Sequence, residues 1–221
     1  MSITLLIQRA SGAYDRYEVS YQEGMSVLDA VKSIGQRVPD LAYRWECGQG
    51  ICGVCTIRIN GAPALSCTTL ARPDTSYTLE PIPGFPVEKD LLVDYTPRLE
   101  KLLDVKPYLI EGGQPIATKA EADASKLLRS CIECMACVAV CPVSLKTANA
   151  DALAMVKLAR FALDPRDGED RREMAEEAGL DVYTKTCPSC RACATICPRQ
   201  IDVYEHAVKV LAETQTSEQA L

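Results

Sequence analysis

Apolar residues alternate with polar ones at the start of the chain. Ile3, Leu5 and Ile7 form one set, and Tyr17, Val19 and Tyr21 form a second beyond a turn at Ser11-Gly12. A period of two predicts a pair of strands. The pattern then changes period: Val27, Leu28, Val31 and Ile34 share one helical face, with Ser26 placed as N-cap and Gly35 where a C-terminal cap belongs. Val54 to Ile59 runs into Asn60-Gly61, the dipeptide best suited to a two-residue hairpin turn, and Tyr77 to Ile82 supplies a last strand. These elements predict a small sheet crossed by a helix. Glu80 to Pro86 is proline-rich and reads as a connector, beyond which helical patterns dominate to the end. Among them, Ala152, Met155, Val156, Ala159 and Phe161 to Leu163 predict an amphipathic helix, and Val203 to Leu211 predict another. The Met and aromatic residues on these faces read as core packing.

The length, 221 residues, fits one or two domains of roughly 100–200 residues, and the change of pattern favours two. A net charge of −6 and a pI near 5.0 argue against a phosphate-binding face, so nucleic acid is set aside as a partner. No apolar run approaches the roughly 20 residues that span a bilayer, so any membrane contact is expected to come through a partner. The first residues lack a cationic stretch followed by an apolar core. A reducing, cytoplasmic compartment is therefore expected, where thiols serve as ligands rather than bridges. The mixed acidic and basic stretch from Asp164 to Glu177 reads as a solvated helix and loop. His206, the only histidine, reads as exposed or partly packed, and Trp45 as packing around a neighbouring site.

Twelve cysteines change the picture. Cys47, Cys52 and Cys55 are spaced C-x4-C-x2-C, with Cys67 following, which is the plant-type pattern for a [2Fe–2S] cluster. Gly48, Gly50 and Gly53 let the backbone approach and aim N–H groups at sulfur. The four-residue gap and the glycines fit zinc poorly. Further on, Cys131-Ile-Glu-Cys-Met-Ala-Cys-Val-Ala-Val-Cys-Pro142 recurs 56 residues later as Cys187-Pro-Ser-Cys-Arg-Ala-Cys-Ala-Thr-Ile-Cys-Pro198. Both copies match C-x2-C-x2-C-x3-C-P, in which three cysteines hold one cube and the fourth reaches the other. On that rule Cys131, Cys134, Cys137 and Cys197 hold one [4Fe–4S] cluster, and Cys141, Cys187, Cys190 and Cys193 hold a second. Pro142 and Pro198 end their ligand loops. No nucleophile–base pair, phosphate loop, or flavin or nicotinamide fingerprint is present, so no residue is assigned a catalytic role.

The order of these motifs, with the stretches Lys89-Asp-Leu-Leu-Val-Asp94 and Lys106-Pro-Tyr-Leu109, resembles the iron–sulfur subunit of succinate dehydrogenases and fumarate reductases over nearly the whole chain. The resemblance implies an α+β chain: an N-terminal β-grasp plant-type ferredoxin domain over 1–105, then an all-α bacterial-ferredoxin-like dicluster domain over 106–221. It also implies a non-catalytic electron-transfer role in an oxidoreductase complex. Electrons pass one at a time between an FAD-containing flavoprotein that interconverts succinate and fumarate and an acceptor on a membrane-attachment subunit. The chain itself would lie peripherally on the inner face of the cell membrane. The [2Fe–2S] centre would face the flavin, the cube of Cys131, Cys134, Cys137 and Cys197 would be the middle station, and the third site the exit.

Two departures from that pattern stand out. Most relatives lack the second cysteine of the later run and hold a [3Fe–4S] cluster there, whereas Cys190 is available here, so a second [4Fe–4S] is expected. The family's tryptophan after the first Cys-Pro and histidine after the first cysteine of the second run, both beside the quinone, are replaced by Val143-Ser-Leu-Lys146 and Pro188. These features resemble the branch with cysteine-rich acceptor subunits similar to those of heterodisulfide reductases, and thiol:fumarate reductases, whose acceptor side handles thiols instead of quinols. The same wire coupled to a flavoprotein for another organic acid or enoate, and a stand-alone ferredoxin-like carrier, are the alternative readings.

Overall fold

A computed structural model describes residues 1–146 and 151–213. The chain divides into two compact units, and the division does not follow chain order. The first comprises Met1–Tyr95 together with Ile132–Ala139, and the second comprises Thr96–Cys131 together with the chain from Val140 onward. The class is α+β.

In the first unit, strands β1 (Ser2–Gln8) and β2 (Tyr14–Ser20) pair antiparallel, with Ile3 opposite Val19 and Leu5 opposite Tyr17. Helix α1 (Val27–Gly35) starts at a capping box: Ser26 Oγ accepts from the Asp29 N–H, and the Asp29 carboxylate accepts from the Ser26 N–H. The end of α1 differs from expectation. Gly35 is the last helical residue and Gln36, in the right-handed region, is the cap. Glycine is required at 35 for space, since a Cβ there would meet the Tyr43 hydroxyl oxygen at 2.8 Å.

Strands β3 (Thr56–Ile59) and β4 (Ala62–Leu65) are joined by Asn60-Gly61, whose φ angles of 49° and 86° are those of a type I′ turn. Strand β5 (Ser76–Glu80) runs parallel to β1 and antiparallel to β3, giving the order β2-β1-β5-β3-β4. A parallel pair cannot be joined by a hairpin, and α1 lies in the crossover. Strand β5 stops before Pro81, which has no N–H to give to a ladder. Ile3, Leu5, Ile7, Val27, Val31, Ile34, Ile57 and Leu79 form the core between sheet and helix. The segment after the connector is not purely helical: β6 (Val87–Lys89) and β7 (Leu92–Val93) form a two-stranded ribbon turning at Asp90, whose φ is 50°.

The helices that follow are α2 (Thr96–Asp104), α3 (Lys119–Ala124), α4 (Lys126–Arg129), α5 (Ala136–Val140), α6 (Pro142–Lys146), α7 (Ala152–Ala162), α8 (Arg171–Glu177), α9 (Leu180–Cys190) and α10 (Ala192–Ile196). A π-helical turn, Tyr204–Val208, leads into α11 (Lys209–Glu213) and carries His206, half-buried, on the segment expected to be helical. Helix α7 is not amphipathic. Every residue from Ala152 to Ala159 is buried, Lys157 included, so it is the central helix of the second unit, with α8, α11 and the π turn packed on it. The 164–177 stretch is likewise not a fully solvated surface. Arg171 and Asp167 form a buried ion pair within it, and the guanidinium also donates to the backbone carbonyls of Val105, Lys106 and Tyr108.

Candidate iron–sulfur centres

The loop between α1 and β3 carries Cys47, Cys52 and Cys55, and the turn after β4 carries Cys67. Backbone hydrogen bonds bring these segments together. The first N–H groups of α1, from Val27 and Leu28, donate to the carbonyls of Thr69 and Ser66, so the helix start fixes the Cys67 turn. Ser66 donates both its N–H and its hydroxyl to the Cys55 carbonyl, at 3.2 and 2.9 Å, and Thr56 Oγ1 donates to the Gly53 carbonyl at 2.8 Å. The spacing of cysteines carried no signal for Ser66 or Thr56.

The four thiols meet in pairs, Cys47 with Cys52 and Cys55 with Cys67. The Gln49 N–H donates to Cys47 Sγ and the Gly50 N–H to Cys67 Sγ, each at 3.3 Å. The N–H groups of Gln49 and Ile51 draw the Cys47 thiol down to about 6, whereas burial, with Cys55 beside it, pushes Cys67 up to about 11. Amide donors aimed at sulfur stabilise thiolate charge, which is what a loop wrapping an anionic cluster has to do. Trp45 is not buried beside the ligands as expected. Its ring is exposed, with the Lys32 ammonium 4.0 Å from its centroid.

Cys134 and Cys137 of the first ferredoxin run lie in the segment that folds with the first unit, whereas Cys131 and Cys197 belong to the second. Glu133 and Met135 both have left-handed φ, 54° and 63°. Met135 corresponds in the repeat to Arg191, also left-handed at 47°. Each copy therefore turns its backbone sharply between the second and third cysteines, so the repeat extends to conformation at that position. The copies differ before the turn, since Cys187 and Cys190 end a regular helix despite Pro188 within it.

Cys141, Cys187, Cys190 and Cys193 line one recess in the second unit, with Val143 and Tyr204 also on its wall. Cys190 is exposed, whereas Cys141 and Cys193 are buried. Burial pushes Cys187 up to about 12, with Cys193, Cys141 and Cys190 adding to it, and burial pushes Cys193 up to about 11. Ser144, directly after the first Cys-Pro-Val, donates its N–H to Cys141 Sγ at 3.5 Å. Its hydroxyl accepts from the Ala152 N–H and lies 3.3 Å from the hydroxyl of the buried Tyr183. Tyr183 also hydrogen-bonds Cys141. These two supporting residues had no signal in the sequence, because neither lies at a motif position.

None of the twelve cysteines is in a disulfide. Among the described residues no three His, Cys, Asp or Glu side chains are gathered closely enough to share one metal ion. A [2Fe–2S] rhomb or a cube does not require that, because each iron takes at most two thiolates and its remaining ligands are bridging sulfides. The all-thiol donor sets, the N–H groups directed at sulfur and the recess fit iron–sulfur clusters.

Residues 6–100 match the family described as "2Fe-2S iron-sulfur cluster binding domain", and residues 127–201 match "4Fe-4S dicluster domain". The fumarate reductase iron–sulfur subunit of Escherichia coli is 35% identical over 196 residues, 84% of this chain and 80% of that one. The chain belongs to the iron–sulfur subunits of fumarate reductases and succinate dehydrogenases. In line with that family, a subunit chain of the Mycobacterium smegmatis Sdh1 complex superimposes with a TM-score of 0.85 at 30% identity, over 96% of this chain and 95% of that one. An uncharacterized iron–sulfur protein of Methanocaldococcus jannaschii is 35% identical over 216 residues, 95% of this chain, but the chain spans only 43% of that relative's length. No helix among the described residues is long and apolar enough to cross a membrane.

Proposed function

We propose that this chain is the electron-transfer subunit of a succinate- or fumarate-converting complex. It carries electrons one at a time between the flavin of a partner flavoprotein and an acceptor subunit on the quinone or thiol side. The observation that carries the reading is the set of twelve cysteines, none in a disulfide, arranged as one plant-type loop and two ferredoxin runs, in the order of the two matched families. Iron–sulfur clusters supply reversible one-electron storage when bound. The polypeptide holds, spaces and tunes them, and the substrate is handled by the partner.

Cys47, Cys52, Cys55 and Cys67 hold the [2Fe–2S] cluster. Cys131, Cys134, Cys137 and Cys197 hold one [4Fe–4S] cluster, an assignment resting on their spacing. Cys141, Cys187, Cys190 and Cys193 hold the second [4Fe–4S], supported by their common recess; without Cys190 that site would hold three irons. The mixed sheet crossed by α1 supports calling the N-terminal region a β-grasp ferredoxin domain, and the helices around the second run support a bacterial-ferredoxin-like arrangement. The chain sits peripherally at the inner face of the membrane through its partners.

Anaerobic purification of the intact complex tests this reading. About ten irons per chain, no zinc and a co-purifying flavoprotein active on succinate or fumarate are expected. Zinc in place of iron, or a chain that never accompanies a flavoprotein, would sink it. The complete second run, with Val143 and Pro188 where the family carries its quinone-side tryptophan and histidine, favours a thiol-side acceptor as the second reading. Turnover with thiols against quinones separates the two.

A further inference from the structure

Gly53, between Cys52 and Cys55, is buried with φ 74°. A Cβ at this position would lie 2.5 Å from the backbone oxygen of Ile132 and 2.9 Å from Cys134 Cα. Both of those atoms belong to the ligand loop of the first ferredoxin run, which folds in the same unit as Gly53. Two ligand loops thus meet backbone to backbone, and only the absence of a side chain allows it. The other positive-φ glycines of the loop make no such contact. A Cβ on Gly48, φ 67°, would meet nothing within 4 Å, and one on Gly50, φ 71°, would meet only the side chain of Thr68. Backbone strain is therefore common to all three positions, and the contact is special to Gly53. Tyr95 lies at the same junction, its hydroxyl close enough to feel both Cys55 and Cys134.

We infer that Gly53 is a positioning residue for electron transfer: its bare backbone holds the Cys52–Cys55 loop against the Cys134 loop and sets the gap that an electron crosses between the [2Fe–2S] site and the first cube. The step moves one electron from the reduced centre to the oxidised one, with no bond made or broken, and the partner subunits on either side supply it and take it up. The inference rests on the cluster assignments proposed above. Any side chain at 53 must push the loops apart, because the atoms in its way are backbone and cannot swing aside.

The test compares Gly53→Ala with Gly48→Ala in the purified, cluster-loaded protein. Iron content and EPR spectra report whether each centre is assembled. The microwave power needed to saturate the [2Fe–2S] signal, with the first cube reduced by dithionite and then reoxidised, reports how strongly the two centres feel each other. Gly48→Ala should weaken the [2Fe–2S] loop without changing the relaxation enhancement of that signal. Gly53→Ala should keep both spectra, lose most of the enhancement and slow rapid-freeze reduction of the first cube severalfold. Assembled centres with unchanged enhancement in Gly53→Ala would overturn this inference and leave the functional reading intact. A chain without iron clusters would overturn both. If Gly53→Ala assembles no [2Fe–2S] centre, the unmodified protein decides: its [2Fe–2S] relaxation must respond to the redox state of the first cube, and indifference would refute the close approach.

Discussion

Arg171 and Asp167 form a buried ion pair, 2.6 Å between Nη2 and Oδ2, with side-chain exposures of 0% and 2%. The guanidinium also donates to the carbonyls of Val105, Lys106 and Tyr108, so one side chain fastens the segment after α2 to the start of α8. Removing one member of such a pair leaves the other charge buried and unpaired, which costs about 3–5 kcal/mol. Arg171→Ala is therefore expected to destabilise the second unit by that amount. Anaerobic urea unfolding followed by circular dichroism checks it; a loss below about 1 kcal/mol would mean that the pair behaves like an exposed one.

The Asp90 carboxylate ties three parts of the first unit together, accepting from the N–H groups of Ala42 and Ala10, each at 2.9 Å, and from Arg9 Nε at 3.1 Å. Burial alone would push its pKa up, but these donors outweigh burial and hold it below the usual carboxylate range. An unfolded aspartate titrates near ~3.9. Because the folded value lies lower, the stabilisation is fully present above that pH and fades as pH falls through the depressed folded value. Asp90→Asn should cost about 1–3 kcal/mol at neutral pH, since its amide opposes one of the N–H donors. It should also flatten the stability curve below about pH 4. Equal acid sensitivity in both proteins would assign that sensitivity to other carboxylates.

Cys190 is exposed at the rim of its recess, while its partners Cys141 and Cys193 are buried. Cys190→Ser is expected to convert the third site from four irons to three and to leave the other centres in place. Low-temperature EPR of the oxidised protein reads this as a new [3Fe–4S] signal. A stoichiometric signal of that kind already present in undamaged wild type would remove Cys190 from the ligand set.

Tyr183 donates toward Cys141 from a buried position, and a hydrogen bond to a ligand sulfur favours the reduced cluster. Tyr183→Phe removes that donor while keeping the ring. The reduction potential of the third site should fall and those of the other two should stay unchanged in an EPR-monitored redox titration. A uniform shift of all three would point to general loosening instead.

The sheet and its crossing helix were legible in the sequence because one face of each is wet: alternation at Ile3, Leu5 and Ile7 and the 3.6 period at Val27 to Ile34 record which side is dry. Helix α7 was misread for the converse reason. It is covered all round, and its small alanines and one buried lysine produce an apparent polar face. The Arg171–Asp167 pair was hidden because charge in sequence carries no depth. Gly35 has the residue type of a cap but serves as space for Tyr43, and sequence does not distinguish the two uses of glycine. At the candidate centres the cysteine spacing named the thiols from which the ligand sets are proposed. The hydroxyl and amide groups of Ser66, Ser144 and Tyr183 that steady them come from outside the cysteine runs and are brought there only by the fold.

Residues 132–139 lie past the midpoint of the sequence yet fold with the first ninety-five. No single cut can therefore yield two self-sufficient pieces: a fragment ending near residue 105 would lack part of its own fold, and the complementary fragment would carry an orphaned stretch. A sequence split at the apparent motif boundary should give fragments that recover colour only when mixed.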